Sequence, residues 1–176
     1  MDDTPPVTIV LVPYDPEWPR VFEALARELR DALGDRALLI EHVGSTSVPG
    51  LAAKPIVDVD LVVADSSDEG AYAPALDSVG YRLMVREPEW FEHRMFRHDD
   101  PKVNLHVFPR DCEEVVRMIR FRDWLRTHDD DRRLYEATKR DLASRPWSEV
   151  QDYADAKSEV VAAIDARALA RNPERS

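Results

Sequence analysis

The sequence predicts an α+β fold: a mixed β-sheet with flanking helices and a C-terminal helical segment. Three observations lead there. Short apolar runs of strand length, "ALLIEHVG", "IVDVDLVV" and "VNLHVFP", fall between positions 37 and 109. An amphipathic stretch of helical period precedes them, from Pro19 to Gly34. After Arg110 the strand signal stops and three helical patterns follow. With 176 residues, 44% of them hydrophobic, no internal repeat and no linker, the chain reads as one domain, residues 1–176, with its helical segment from about 111.

Taken in order, "TIVLV" (Thr8 to Val12) reads as a short strand and Tyr14-Asp15-Pro16 as a turn. In "PRVFEALARELRDALG" the residues Phe22, Leu25, Ala26, Leu29 and Leu33 fall on one helical stripe. Pro19 suits the first turn and Gly34 the position just past the end. Ala37 to Gly44 and Ile56 to Val63 read as strands. Ser67 to Val79 reads as a helix stopped by Gly80, with Pro74 working against it. "YRLMV", "HRMFRH" and "VNLHVFP" continue the sheet. "CEEVVRMIRFRDWLRTH", "DRRLYEATKRDLAS" and "SEVQDYADAKSEVVAAIDARALA" predict three helices, the third opened by a Ser148–Gln151 capping box. The final "RNPERS" is expected to fray.

Composition narrows the function classes. No run of about 18 apolar residues exists, so no membrane span is expected. The start, "MDDTPPVTIV", is acidic and carries two prolines, unlike a signal peptide. The single Cys112 cannot form an internal disulfide, which suits a cytoplasmic location, and reads as a small buried hydrophobe or an inert surface thiol. Twenty-four basic residues stand against 35 acidic ones, a net charge of −11. That field repels extended nucleic acid. A small anionic ligand is compatible with it where a local basic pocket or a metal offsets the field.

Asp58 and Asp60 stand inside an otherwise apolar strand. Alternation puts Ile56, Asp58, Asp60 and Val62 on one face, and the wholly apolar Val57, Val59, Leu61 and Val63 on the other, against the core. Two rises of about 3.3 Å leave the carboxylates roughly 7 Å apart. On a partly buried face they repel and lose hydration. A divalent cation, an Arg or Lys, or solvent at a strand end can compensate. The preceding loop bears on that choice. Gly44 permits close approach of the backbone to a ligand. Ser45, Thr46 and Ser47 supply hydroxyls that can cradle phosphate oxygens, and Lys54 supplies a mobile positive charge.

A strand, Gly44-Ser45, a dozen residues and Asp58-x-Asp60 on the next strand resemble the signature of the nucleotidyltransferase superfamily with the DNA polymerase β-like palm. The string "HVGSTSVPGLAAKPIVD", with "YDPEWPRVFEAL", "NLHVF", "FRDWLR" and "YADAK", is similar to the GrpB family, found alone and, in relatives, joined to dephospho-CoA kinase. The resemblance covers nearly the whole chain. It implies a sheet of nucleotidyltransferase palm type, Gly44 and Ser45 on the nucleotide phosphates, and Asp58 and Asp60 on Mg²⁺ or Mn²⁺. It also implies chemistry in which ions bridge carboxylate and phosphate oxygens.

One departure stands out. The superfamily places a third carboxylate on a later strand, yet "VNLHVFP" puts Val103, Leu105 and Val107 on one face and Asn104, His106 and Phe108 on the other. Asn104 or His106 therefore faces the acids, and His106 reads as a metal ligand, a general base or a hydrogen-bonded structural residue. Arg122, Lys139 and Lys157, on three successive helices, either converge on a phosphate or pair locally along their helices. His42 points at the loop or braces it. Glu41, His93, His98 and His128 read as surface groups, Arg94 as structural, and the four Trp with Tyr14, Tyr135 and Tyr153 as packing aromatics. The expected partner is a nucleoside triphosphate or another phosphorylated small molecule. The expected activity is metal-dependent nucleotidyl transfer to a small acceptor. The alternative is a non-catalytic nucleotide- or phosphometabolite-binding or accessory domain linked to coenzyme A metabolism.

Overall fold

A computed structural model describes residues 6–171. Five strands, β1 (Leu39–Val43), β2 (Val57–Val63), β3 (Arg82–Glu87), β4 (His93–Asp99) and β5 (Lys102–Pro109), form one sheet in the order β1-β2-β5-β4-β3. The β2–β5 pairing is parallel and the other three are antiparallel. Chain order explains this. β3, β4 and β5 follow one another as hairpins, whereas β5 reaches β2 only after the intervening chain has crossed over. The expected α+β fold, a mixed sheet with flanking helices and a C-terminal helical segment, is the one observed.

Helix α1 (Trp18–Leu33) lays Leu25, Ala26, Leu29 and Leu33 against the apolar face made by Val57, Val59 and Leu61 of β2 and Leu105 and Val107 of β5. Gly34 ends it at φ 57°, a conformation costly for a side-chain-bearing residue. The opposite face carries Val62 and Phe108, closed over by Cys112 and by Val115 of α3 (Glu113–Thr127). Cys112 is a buried free thiol. Further along lie α4 (Asp129–Ala143), α5 (Val150–Ala156) and α6 (Ser158–Arg171).

Several expectations need correction. "TIVLV" makes no strand; Val12 meets Ala53 in a single bridge, as Val7 just before the run meets Trp147, because no strand runs alongside it. The helix expected over Ser67 to Val79 shrinks to α2 (Ala73–Ser78) behind a 3₁₀ turn, since Pro74 is tolerated only in a first turn. The third C-terminal helix is two, α5 and α6, parted at Lys157. Its capping box is Glu149 with Asp152, one residue on from the expected pair. Two carboxylates there bond backbone N–H groups at the positive end of the helix dipole more strongly than Ser148 and Gln151 would. Of "RNPERS", Arg171 closes α6 and the rest lies outside the described residues. Among the described residues no helix is long and apolar enough to cross a membrane.

Candidate phosphate and metal site

The loop after β1 builds one wall of a cleft of about 230 Å³. Gly44 turns the chain at φ 70°, and a Cβ there would lie 2.6 Å from Asp58 Oδ2. The close approach it permits is thus to Asp58, whose carboxylate presses on the loop backbone. Ser45–Ser47 then form a 3₁₀ turn. Thr46 Oγ1 lies 2.9 Å from Nε2 of buried His42, whose ring stacks on Phe22. Burial, aided by Arg126, pushes His42 down to about 4, so it braces the loop as a neutral ring. Ser47 is buried and its hydroxyl donates back to Gly44 O, which closes the turn. Of the three hydroxyls, Ser45 and Thr46 line the cleft and Ser47 does not.

Three of the chain's four lysines, Lys54, Lys139 and Lys157, line this cleft, with Asp58 as its acid. Lys54 and Lys157 hold their ammonium groups 5.6 Å and 4.7 Å from the Tyr153 ring centroid rather than against a carboxylate. Burial lowers both pKa values, and for Lys54 the charge of Lys157 adds to this. Lys139 is 2% exposed. Its Nζ bonds Ser45 Oγ at 2.8 Å and the Ala52 carbonyl, beside the Tyr135 ring. Burial and then the charge of Lys157 push it down to about 7. The local excess of cations supplies what a chain of net charge −11 requires to hold an anion. Tyr135 and Tyr153 pack as expected, but they also wall the cleft, a role no spacing in the sequence marks.

Arg122 is not part of this wall. Its guanidinium bonds Glu41 at 2.6 Å, the His42 carbonyl at 2.9 Å and Asp123 at 2.9 Å. Glu41 is accordingly no free surface charge: it lies opposite Asp60 in the β1–β2 register, on the same face, where Arg122 reaches it. Arg94 is structural as expected, paired with Glu69 at 2.8 Å and Glu92 at 3.2 Å.

Register places Asp58 opposite Asn104 and Asp60 opposite His106, as alternation predicts. Asp58 Oδ1 has only long contacts, 3.4 Å to Asn104 Nδ2 and 3.4 Å to His106 Nε2. Asp60 is fully buried and neither of its carboxylate oxygens has a hydrogen-bond partner. Burial raises it to about 7 against the pull of His106. Asn104 Oδ1 is likewise buried and unpartnered. Behind His106 stands a residue that sequence reasoning placed on the surface. His93 is buried, its Nε2 3.0 Å from His106 Nδ1 and its Nδ1 2.7 Å from Glu87 Oε2. It opens β4 and packs under Trp90 and Phe108, which its charged sequence neighbours conceal. Burial and the charge of His106 push His93 down to about 4. Burial also opposes a charge on His106, but Asp58 and then Asp60 outweigh it and the pKa rises. With Glu87 accepting from His93 Nδ1–H, the free Nε2 lone pair accepts from His106 Nδ1–H, which aims His106 Nε2 at Asp58.

The unpartnered oxygens test the fit of a cation. Asp58, Asp60 and the Asn104 carbonyl offer hard oxygen donors whose hydrogen-bonding capacity is largely unspent, which suits Mg²⁺ or Mn²⁺ completed by water and substrate oxygens. The expected trio of Asp58, Asp60 and His106 does not form a protein cage. Among the described residues no group of three or more His, Cys, Asp or Glu is placed to hold a metal. His93 occupies one nitrogen of His106, and the two acids sit at different depths along β2.

The family model of the GrpB protein matches residues 8–167. The chain belongs to the GrpB family. It is 55% identical over 163 residues to the UPF0157 protein BH1888 of Halalkalibacterium halodurans, covering 93% of this chain and 84% of that one. The crystal structure of the conserved protein GrpB from Enterococcus faecalis superposes with a TM-score of 0.81 at 29% identity, over 92% of this chain and 98% of that one. A dephospho-CoA kinase of Mycolicibacterium paratuberculosis is 30% identical over 173 residues, covering 84% of this chain but 42% of that protein.

Proposed function

We propose that this chain is a metal-dependent, nucleotidyltransferase-like cytoplasmic protein that binds a nucleoside triphosphate through its phosphates and acts on a small-molecule acceptor. The supporting observation is the cleft itself: three lysines and two hydroxyls gathered beside Asp58 on a strongly acidic chain. Lys54 and Lys157 hold the phosphate oxygens, and Ser45 and Thr46 orient them. The Tyr135 and Tyr153 rings exclude water, which strengthens each charge contact. His106, fixed by His93, holds the Asp58 carboxylate in place. When bound at Asp58 and Asp60, a divalent cation supplies charge neutralisation and polarises the reacting oxygens.

The test is thermal melting against a panel of nucleotides and phosphometabolites, with and without Mg²⁺ or Mn²⁺. A triphosphate with metal raises Tm by mass action. Lys54→Met and Lys157→Met each weaken binding about tenfold to a hundredfold, from about 1.5–3 kcal/mol per charge-assisted contact. No nucleotide shifting the melting temperature at any metal concentration overturns the reading.

A second reading is a phosphometabolite-binding or accessory domain without chemistry, tied to coenzyme A metabolism. The similarity to a protein named dephospho-CoA kinase favours it. Binding without product in a broad substrate screen selects it over the first.

A further inference from the structure

Resting on the nucleotide-binding reading above, we propose that Ser45 is a nucleophile served by Lys139 as proton acceptor, and that it takes the terminal phosphoryl group of a nucleoside triphosphate. Lys139 Nζ lies 2.8 Å from Ser45 Oγ. The Ala52 carbonyl also contacts Nζ, and because it can only accept, it fixes one N–H in place. A neutral amine so held turns its lone pair to the Ser45 hydroxyl. The surroundings favour that neutral form: Lys139 is 2% exposed, and neighbouring Glu136 spends its carboxylate on Arg140 at 2.8 Å and on the Ala52 N–H at 3.1 Å. The downward shift of Lys139 to about 7 agrees with this. The other loop hydroxyls are engaged elsewhere, Thr46 with His42 and Ser47 with Gly44 O. Of the two hydroxyls on the cleft, Ser45 is paired with the stronger base, because burial holds His42, the partner of Thr46, down at about 4.

In the step, the Ser45 proton passes to Lys139 Nζ and an Oγ–P bond forms. The bond from phosphorus to the bridging oxygen breaks, and the nucleoside diphosphate leaves with that electron pair. The Lys139 ammonium then faces the new phosphoserine, and Lys54 and Lys157 hold the departing phosphates.

The experiment incubates the full chain with ATP and Mg²⁺ or Mn²⁺ and reads intact mass, then maps the modified peptide. One phosphoryl group on Ser45 is expected, absent in Ser45→Ala. It forms about a hundredfold more slowly in Lys139→Arg, whose permanently charged guanidinium cannot accept a proton. In the unaltered chain the rate rises as pH climbs through Lys139 deprotonation. That profile carries the test if Lys139→Arg does not fold. Nucleotide binding without Ser45 modification, modification of Lys139→Arg at the original rate, or a flat pH profile each overturns the proposal and leaves the nucleotide-binding reading standing. A chain that binds no nucleotide overturns both.

Discussion

Asp60→Asn tests the acid pair most directly. Asp60 is fully buried and both oxygens lack hydrogen-bond partners, so its ionised form has lost its hydration with only the more distant charges of His106 and Arg122 to offset it. Burial raises its pKa from 3.8 to about 7. At about 1.4 kcal/mol per pH unit, ionising this group in the fold costs about 4 kcal/mol. The sign follows from linkage. The folded pKa lies above the unfolded one, so the stability from this group is complete below pH 3.8 and is lost as pH rises to about 7. An asparagine keeps the shape and never ionises. Its own unpaired amide costs about 1–3 kcal/mol. At pH 8 with a chelator the variant should gain about 2 kcal/mol, or about 4–8 °C in Tm for a chain of this size. At pH 4, where Asp60 is neutral in the fold, only the amide cost is left and the variant should lose up to about 1–3 kcal/mol. Added Mg²⁺ should raise the Tm of the original chain and leave that of the variant unchanged. Calorimetry at the two pH values, with and without metal, checks all of this. A variant that melts lower than the original at pH 8 in chelator would show the carboxylate to be compensated within the protein, and would refute the reasoning.

Gly44→Ala should destabilise by about 1–3 kcal/mol from the positive φ alone, and should also displace Asp58, since the new Cβ would meet its carboxylate at 2.6 Å; melting and Mg²⁺ titration read both effects. His42 and His93 are both held near 4, below the ordinary 6.5, so the stability they confer is complete above pH 6.5 and is lost as pH falls toward 4. Denaturant titrations across that range should show the fall, and His42→Gln should flatten part of it. His93→Phe should leave His106 Nδ1–H without its acceptor, at a cost of about 1–3 kcal/mol, and should change the tautomer of His106 seen by ¹⁵N NMR.

Much of the site was legible because it depends on short-range periodicity. Two-residue alternation set Asp58, Asp60, Asn104 and His106 on one face, and the sheet register agrees. The convergence of Lys139 and Lys157 with the loop followed from helices returning to the sheet. Arg122 looked alike in sequence, yet it serves Glu41, 81 positions away, and only the register of β1 on β2 brings that acid to its side. His93 was hidden for a related reason. Glu92 and Arg94 make its surroundings polar on paper, whereas its own side chain faces His106 and Phe108 across two strands. "TIVLV" has strand propensity but no neighbour to pair with, and propensity without a partner yields single bridges.

The cleft draws on distant parts of the chain, from Gly44 near the first strand to Lys157 between the last two helices. An anion seated there would fasten the C-terminal helices to the sheet. Ligand occupancy should therefore be readable as slower proteolysis in the linkers between α3 and α5. By the same geometry, a polypeptide cut short before α4 would keep Asp58 and the Ser45–Ser47 turn but lose Tyr135, Lys139, Tyr153 and Lys157 from the wall.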